Sequence, residues 1–145
     1  MFDLFLAVLH HVIVFALVAV VLAELVCVRP GMDAAAVRRI GAIDAWYGIL
    51  AGLIVFVGFG RAIFAAKGWD YYASNLFFWA KIATFVAIGL LSISPTITYM
   101  KWRKAGTVPT DDAVAMVRRF LLTEMLLFVP LIAFAAAMAR GYGMS

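Results

Sequence analysis

Two adjacent histidines, His10 and His11, lie within the apolar stretch AVLHHVIVF of residues 7–15. Imidazole binds metals and transfers protons near neutral pH, and an ionisable side chain inside an apolar helix is expected to have a function. Adjacent helical side chains point about 100° apart, so one metal ion cannot be bound by both. No HxxxH, HExxH or Cys/His cluster accompanies them, and a zinc site is therefore not indicated.

Other polar residues inside the apolar runs form two groups that differ in depth. The group nearer the predicted outer ends consists of His10, His11, Arg61 and Lys81, and the inner group consists of Glu24, Asp44, Ser92, Ser94 and Glu124. Helical phase places Glu24 within about 40° of His10 and far from His11. We therefore expect His10 to face the protein interior and His11 to face lipid or a neighbouring subunit.

The outer group has what a b-type haem requires, namely an axial ligand, an apolar slot and cations for the propionates. His10 is the predicted metal ligand, His11 is the second candidate cofactor-binding histidine, and the aromatic stretch 77–79 is a candidate ring contact. Arg61 and Lys81 are predicted to bind the propionates. The second axial ligand stays open between neutral Lys81, a methionine and a histidine of a second subunit.

The elements that must position these residues are membrane-spanning helices. The 145 residues are 67% hydrophobic and 14% charged, whereas a soluble domain is about half apolar and a quarter charged. Four runs reach the roughly 20 residues that cross a bilayer: Leu4–Val28, Trp46–Ala66, Leu76–Met100 and Ala113–Ala139. Their connections are RPGMDAAAVRR, KGWDYYASN and KWRKAGTVPTDD. We predict an all-α fold, a four-transmembrane-helix bundle that forms one membrane domain over residues 1–145.

Basic residues are unevenly distributed between the two ends of the predicted helices. The first and third connections with their flanks hold Arg29, Arg38, Arg39, Lys101, Arg103, Lys104, Arg118 and Arg119, whereas the opposite end holds Lys67 and Arg140. The positive-inside rule then places both termini on the outer, periplasmic side. The same distribution explains the net charge of +4 by membrane topology, and no nucleic-acid partner is expected.

Glycines in the second run follow a small-xxx-small pattern at Gly48 and Gly52, with a further pair at Gly58 and Gly60. Such glycines let helix backbones approach closely. Close packing within the bundle is the simpler interpretation, and a homodimer seam or a notch for a flat cofactor is the alternative.

Three segments, LAVLHHVIVF, FFWAKIATFVAIGLLS and YMKWRK, resemble a bacterial four-helix membrane family of unknown function over nearly the whole chain. More distantly, the chain resembles the small membrane-integral protoporphyrinogen IX oxidases of the HemJ type. That second resemblance implies haem b, with His10 and Lys81 at the positions of the family's histidine and lysine. Where those oxidases have Trp-Gly and Leu-Pro-Arg, this chain has VAVVLAELVCVRP with Glu24, so the specific oxidase activity is less well supported than haem binding.

Three functions follow as hypotheses. The first is a haem-b redox protein of the bacterial inner membrane that oxidises a tetrapyrrole or exchanges electrons with quinone, with Lys81, Glu24 and Glu124 as candidate catalytic residues. The second is a small oligomeric ion or proton transporter or channel subunit, in which buried Glu24, Glu124 and Lys81 line the path. The third is a non-catalytic scaffold, in which the inner carboxylates only bond to Ser92, Ser94 or Thr123. A homodimer or small homo-oligomer is expected.

Overall fold

The computed structural model describes residues 1–64 and 68–144, and within them the protein is helical. No strand occurs in these two stretches, where the β-type pairing is an isolated bridge between Asn75 and Met144. Four of the five helices are long and apolar enough to cross a membrane, so the predicted all-α architecture with four candidate spans is confirmed. The helices are α1 (Phe2–Cys27), α2 (Ala34–Phe64), α3 (Gly68–Ala73), α4 (Leu76–Ala105) and α5 (Asp111–Ala139).

The second helix is longer than the apolar run that predicted it. It begins at Ala34 rather than near Trp46, so the end of the predicted connection RPGMDAAAVRR is wrong. Asp33 caps this start, because its Oδ1 accepts a hydrogen bond of 2.7 Å from the Ala36 backbone N–H, and the following alanines favour a helix. The predicted end of the second run at Ala66, and Lys67 in the next connection, lie outside the described residues.

The long helices pair as two hairpins that pack against each other. α1 packs mainly on α2 and α4 mainly on α5, while α2 with α4 and α1 with α5 join the hairpins. We call the end of the bundle where α1 begins and α5 ends the terminal end, and the other the far end. Large apolar side chains cover the outside, including Phe15 at 72% exposure and Phe56 at 80%, as expected of a surface in contact with lipid.

Gly48 and Gly52 of α2 were predicted to let helix backbones pack closely within the bundle, and they do not. A Cβ atom added at Gly48, Gly52 or Gly60 would meet nothing within 4 Å, whereas one at Gly58 would lie 3.5 Å from Cε1 of His10. Of the four glycines singled out in the sequence, only Gly58 has a neighbour within 4 Å of an added Cβ atom, at an ordinary van der Waals distance. The closer approach on α2 is at Gly41, where an added Cβ atom would lie 3.1 Å from Cδ of Arg103.

Candidate functional site

A cavity of about 400 Å³ lies between the two hairpins, in the half of the bundle nearer the terminal end. All four long helices line it, with residues such as Leu17 on α1, Ile54 on α2, Phe85 on α4 and Leu131 on α5. Among the lining residues only His10 and Lys81 have polar side chains. The cavity thus has the size and apolar character of a small-molecule site with a few polar groups.

The two histidines lie on different sides of α1. His10 lines the cavity, and its Nδ1 atom is buried with no hydrogen-bond partner. His11 is exposed on the outer surface, where its Nδ1 is 2.6 Å from the Ala7 carbonyl oxygen. This is the arrangement that helical phase predicts. Of the two histidines of one chain, only His10 is placed to bind a molecule in the cavity.

Two cationic side chains accompany His10. Lys81 lines the cavity with its Nζ atom 5.2 Å from the centroid of the Phe78 ring. Arg61 does not line the cavity, but it interacts electrostatically with both His10 and Lys81, and its Nε atom is buried without a partner. Among the described residues neither cation forms an ion pair, so this end of the cavity has an excess of positive charge.

The aromatic stretch 77–79 contributes one ring to the cavity. Phe78 lines it, whereas Phe77 packs on Phe134 with ring centroids 5.9 Å apart. Trp79 points away, since its Nε1 donates a hydrogen bond of 2.9 Å to the Ala73 carbonyl. Of the three candidate ring contacts, Phe78 therefore lines the cavity, whereas Phe77 and Trp79 do not.

Three carboxyl groups are buried nearer the far end, and we call Glu24, Asp44 and Glu124 the carboxylate cluster. Their side chains are 2%, 9% and 1% exposed, respectively. Tyr99 donates a hydrogen bond of 3.1 Å to Glu24 Oε2, and Thr96 donates one of 2.8 Å to Asp44 Oδ1. Oε1 of Glu124 has no partner. Hydrogen bonds join Glu24 of α1 and Asp44 of α2 to α4, whereas Glu124 comes from α5. The cluster is the most polar part of the interior.

Two of the three hydroxyl groups predicted as partners of the carboxylates, those of Ser92 and Thr123, bond to carbonyl groups of their own helices. Ser92 Oγ donates to the Gly89 carbonyl at 2.8 Å, and Thr123 Oγ1 donates to the Arg119 carbonyl at 2.9 Å. Such bonds to the preceding turn are common for Ser and Thr in helices. The partners that the sequence analysis missed are Tyr99 and Thr96.

The predicted catalytic residues do not form one site. Lys81 lines the cavity, whereas Glu24 and Glu124 do not. Glu124 is one turn from Phe128, which lines the end of the cavity, so the carboxylate cluster begins about 6 Å further along the bundle. A ligand in the cavity would contact His10 and Lys81, and the carboxylates would act on it only over a distance.

His10 and Lys81 are the side chains lining the cavity that could bind a metal. No group of three or more His, Cys, Asp or Glu side chains that could hold a metal ion occurs in residues 1–64 and 68–144. A haem iron is held by its ring and needs one or two axial ligands, which His10 alone or His10 with Lys81 would supply. The apolar walls suit a flat hydrophobic body, and the excess positive charge suits its anionic groups.

Comparison with known proteins identifies a family and no characterised relative. The searches of curated proteins and of solved structures each found no significant match. The family described as "Predicted membrane protein (DUF2214)" matches residues 2–143. That range contains all four candidate spans, the cavity and the carboxylate cluster. The chain therefore belongs to this family of predicted membrane proteins.

Proposed function

We propose that the protein is a membrane-embedded b-type haem protein, with His10 as the axial ligand and the cavity as the haem site. The observation that carries this proposal is the position of His10, which opens onto an apolar cavity together with Lys81 and close to Arg61. His10 and Lys81, which the sequence analysis selected on depth and helical phase, thus line one cavity large enough for a small cofactor.

The residues of the site fit the chemistry of haem. The unpartnered imidazole is free to bind iron, Gly58 leaves room beside the imidazole ring, and Lys81 and Arg61 offer two cations for two propionates. When bound, haem supplies reversible one-electron transfer. The apolar lining excludes water around it, which raises the strength of each charge interaction inside.

The reaction that we propose for this site is either oxidation of a tetrapyrrole, whose electrons would pass to quinone or another carrier, or electron exchange with quinone alone. Either reaction would make the protein an oxidoreductase. The support for tetrapyrrole oxidation is the resemblance of His10 and Lys81 to the histidine and lysine of the HemJ-type oxidases. Lys81 would act in the cavity by binding an anionic group of the tetrapyrrole, such as a propionate. The expected location is the bacterial inner membrane, with both termini outside.

Haem titration of matched histidine variants tests the proposal. Apoprotein in mild detergent is titrated with hemin, and the Soret band is followed for wild type, His10→Ala and His11→Ala. We expect saturation near one haem per chain or per dimer in wild type and His11→Ala, and loss of the ligated spectrum in His10→Ala. Equal spectra for the two variants would contradict the role of His10. Lys81→Ala and Arg61→Ala should weaken binding while the ligated spectrum is kept.

Proton transport is the second candidate function, and the observation that favours it is the unpartnered Glu124 Oε1 inside the carboxylate cluster. Ionisable groups buried among membrane helices often form proton paths. If the protein carries protons, vesicles containing it will show a flux that Glu124→Gln abolishes and His10→Ala leaves unchanged. Absence of flux in wild type would exclude this function for the protein.

A further inference from the structure

We propose that the cavity exchanges its ligand sideways with the bilayer, through a mouth between α2 and α4. The ligand class is then a membrane-dissolved amphiphile with a flat apolar body and an anionic end. This inference rests on the proposed function for the identity of the ligand as a porphyrin, while the mouth itself rests on the exposure of the residues that line the cavity.

The walls of the cavity extend to the lipid-facing surface. Val55 and Phe59 of α2 both line the cavity and are 44% and 40% exposed, and Val86 of α4 lines it and is 52% exposed. Gly89, one turn from Val86, is also exposed, and a Cβ atom added there would meet nothing within 4 Å. On α5, Ile132 also both lines the cavity and reaches the surface, with 53% of its side chain exposed. Four of these five residues lie on α2 and α4, which places the mouth between these two helices.

The terminal end of the cavity is closed by a second apolar cluster. Ala62, Tyr72 and Phe78 are buried there, at 2%, 8% and 3% exposure, and Phe78 is itself part of the cavity wall. The C-terminal tail, residues 140–144, is held next to this cluster by Asn75. The Asn75 Nδ2 donates a hydrogen bond of 2.9 Å to the Tyr142 carbonyl. Among the described residues, this cluster and the C-terminal tail, which together we call the roof, lie at the terminal end of the cavity.

The opposite end of the cavity is closed by core side chains and then by the carboxylate cluster. Val21 lies one turn beyond Leu17 on α1, and Glu124 lies one turn beyond Phe128 on α5; both are 1% exposed. Tyr99, also 1% exposed, bonds to Glu24 below them. A porphyrin would have to break this packing to enter from the far end, so the lateral mouth is the path of least rearrangement.

The charges inside the cavity indicate how such a ligand would be oriented. His10, Lys81 and the neighbouring Arg61 lie near the terminal end, whereas the residues of the mouth are all apolar. An amphiphile that dissolves in lipid can pass an apolar mouth with its hydrophobic body. Its anionic groups would then meet two cations that have no ion pair among the described residues.

Zinc protoporphyrin IX tests the mouth, because it is fluorescent and takes one axial ligand. Apoprotein is reconstituted in phosphatidylcholine vesicles, and uptake of zinc protoporphyrin IX from the same membranes is timed. Gly89→Leu places a side chain in the mouth, Gly89→Ala adds a single methyl group, and Gly48→Leu is the matched control on an exposed glycine that does not line the cavity. Leucine and alanine are both better helix formers than glycine, so all three variants should fold.

We expect Gly89→Leu to slow uptake about tenfold, the effect of a modestly raised barrier, with a smaller effect of Gly89→Ala and none of Gly48→Leu. Bromine-labelled lipid chains should quench the bound porphyrin, and aqueous iodide should not. Asn75→Ala, which loosens the roof, should leave the uptake rate unchanged.

Two results overturn the inference, and they are distinguishable from each other. If wild type takes up the porphyrin but Gly89→Leu does so at the wild-type rate, or Asn75→Ala accelerates uptake, the lateral mouth is wrong and the proposed function stands. If wild type takes up no porphyrin while remaining folded, the proposed function fails and porphyrin entry fails with it.

Discussion

Replacement of Asn75 by alanine is expected to destabilise the terminal end of the bundle. Asn75 is completely buried and does two things at once. Its Oδ1 accepts hydrogen bonds from the backbone N–H groups of Phe77 and Phe78 at 2.9 and 3.2 Å, which caps α4. Its Nδ2 donates to the Tyr142 carbonyl at 2.9 Å, which holds the C-terminal tail on the roof of the cavity.

The size of the effect follows from these bonds. Loss of a side-chain N-cap to alanine costs about 1 kcal/mol, and the hydrogen bond to the tail contributes about 1 kcal/mol net. Asn75→Ala should therefore lower the free energy of unfolding by about 2 kcal/mol. Asn75→Ser keeps an oxygen that caps the helix but is too short to reach the tail, so it should lose only about half as much.

The assay is equilibrium unfolding of the purified protein in mixed micelles, with hydrogen exchange of the Leu76 amide as a local probe. The Leu76 N–H donates to the Gly143 carbonyl at 2.9 Å, so release of the tail will expose it. The reasoning is refuted if Asn75→Ala lies within about 0.5 kcal/mol of wild type, or if serine and alanine destabilise the protein equally.

Two further perturbations test the packing at the two ends of the bundle. Gly143→Ala should release the C-terminal tail more than Gly141→Ala does. Both glycines have a positive φ, but only at Gly143 would the added Cβ atom clash with a neighbour, Cδ2 of Phe77 at 2.6 Å. Equal exchange rates of the Leu76 amide in the two variants would contradict this. Arg118→Ala should destabilise the protein by about 3 kcal/mol, because the guanidinium donates to the Leu25 and Val28 carbonyls at 2.7 and 2.6 Å. The exposed Arg119→Ala is the control, and an equal loss of stability in unfolding experiments would disprove the prediction.

Hydropathy was sufficient to predict the four long helices, but not all of their ends: α2 begins at Ala34 and α4 continues to Ala105, into the predicted connection KWRKAGTVPTDD. A run of apolar residues shows where a helix meets the lipid, and a helix can continue beyond it. The start of α2 extends toward the far end of the bundle, through Arg39 and Arg38 to Ala34, because alanines and the Asp33 cap favour a helix there. The short helix α3 was missed for a related reason, since its six residues GWDYYA have no apolar periodicity.

Depth and helical phase were sufficient to bring His10 and Lys81 to one cavity, because both follow from the fixed rise and period of a helix. The same rule would have selected Tyr99, which lies on the face of Ser92 within about 20°. The bonds of the carboxylate cluster did not follow, because they depend on how helices are rotated and tilted against one another. Thr96 rather than Ser94 meets Asp44 for this reason.

The absorption spectrum of the protein purified from haem-replete cells in mild detergent tests the central claim most directly. It is recorded oxidised and after reduction with dithionite, and the haem is quantified as its pyridine adduct. If the protein binds haem b through His10, the spectrum will show a Soret band, reducible α and β bands, and close to one haem per chain or per dimer. A folded, colourless protein that binds no added hemin would contradict the account, and would leave His10 as a buried polar residue with no cofactor to bind.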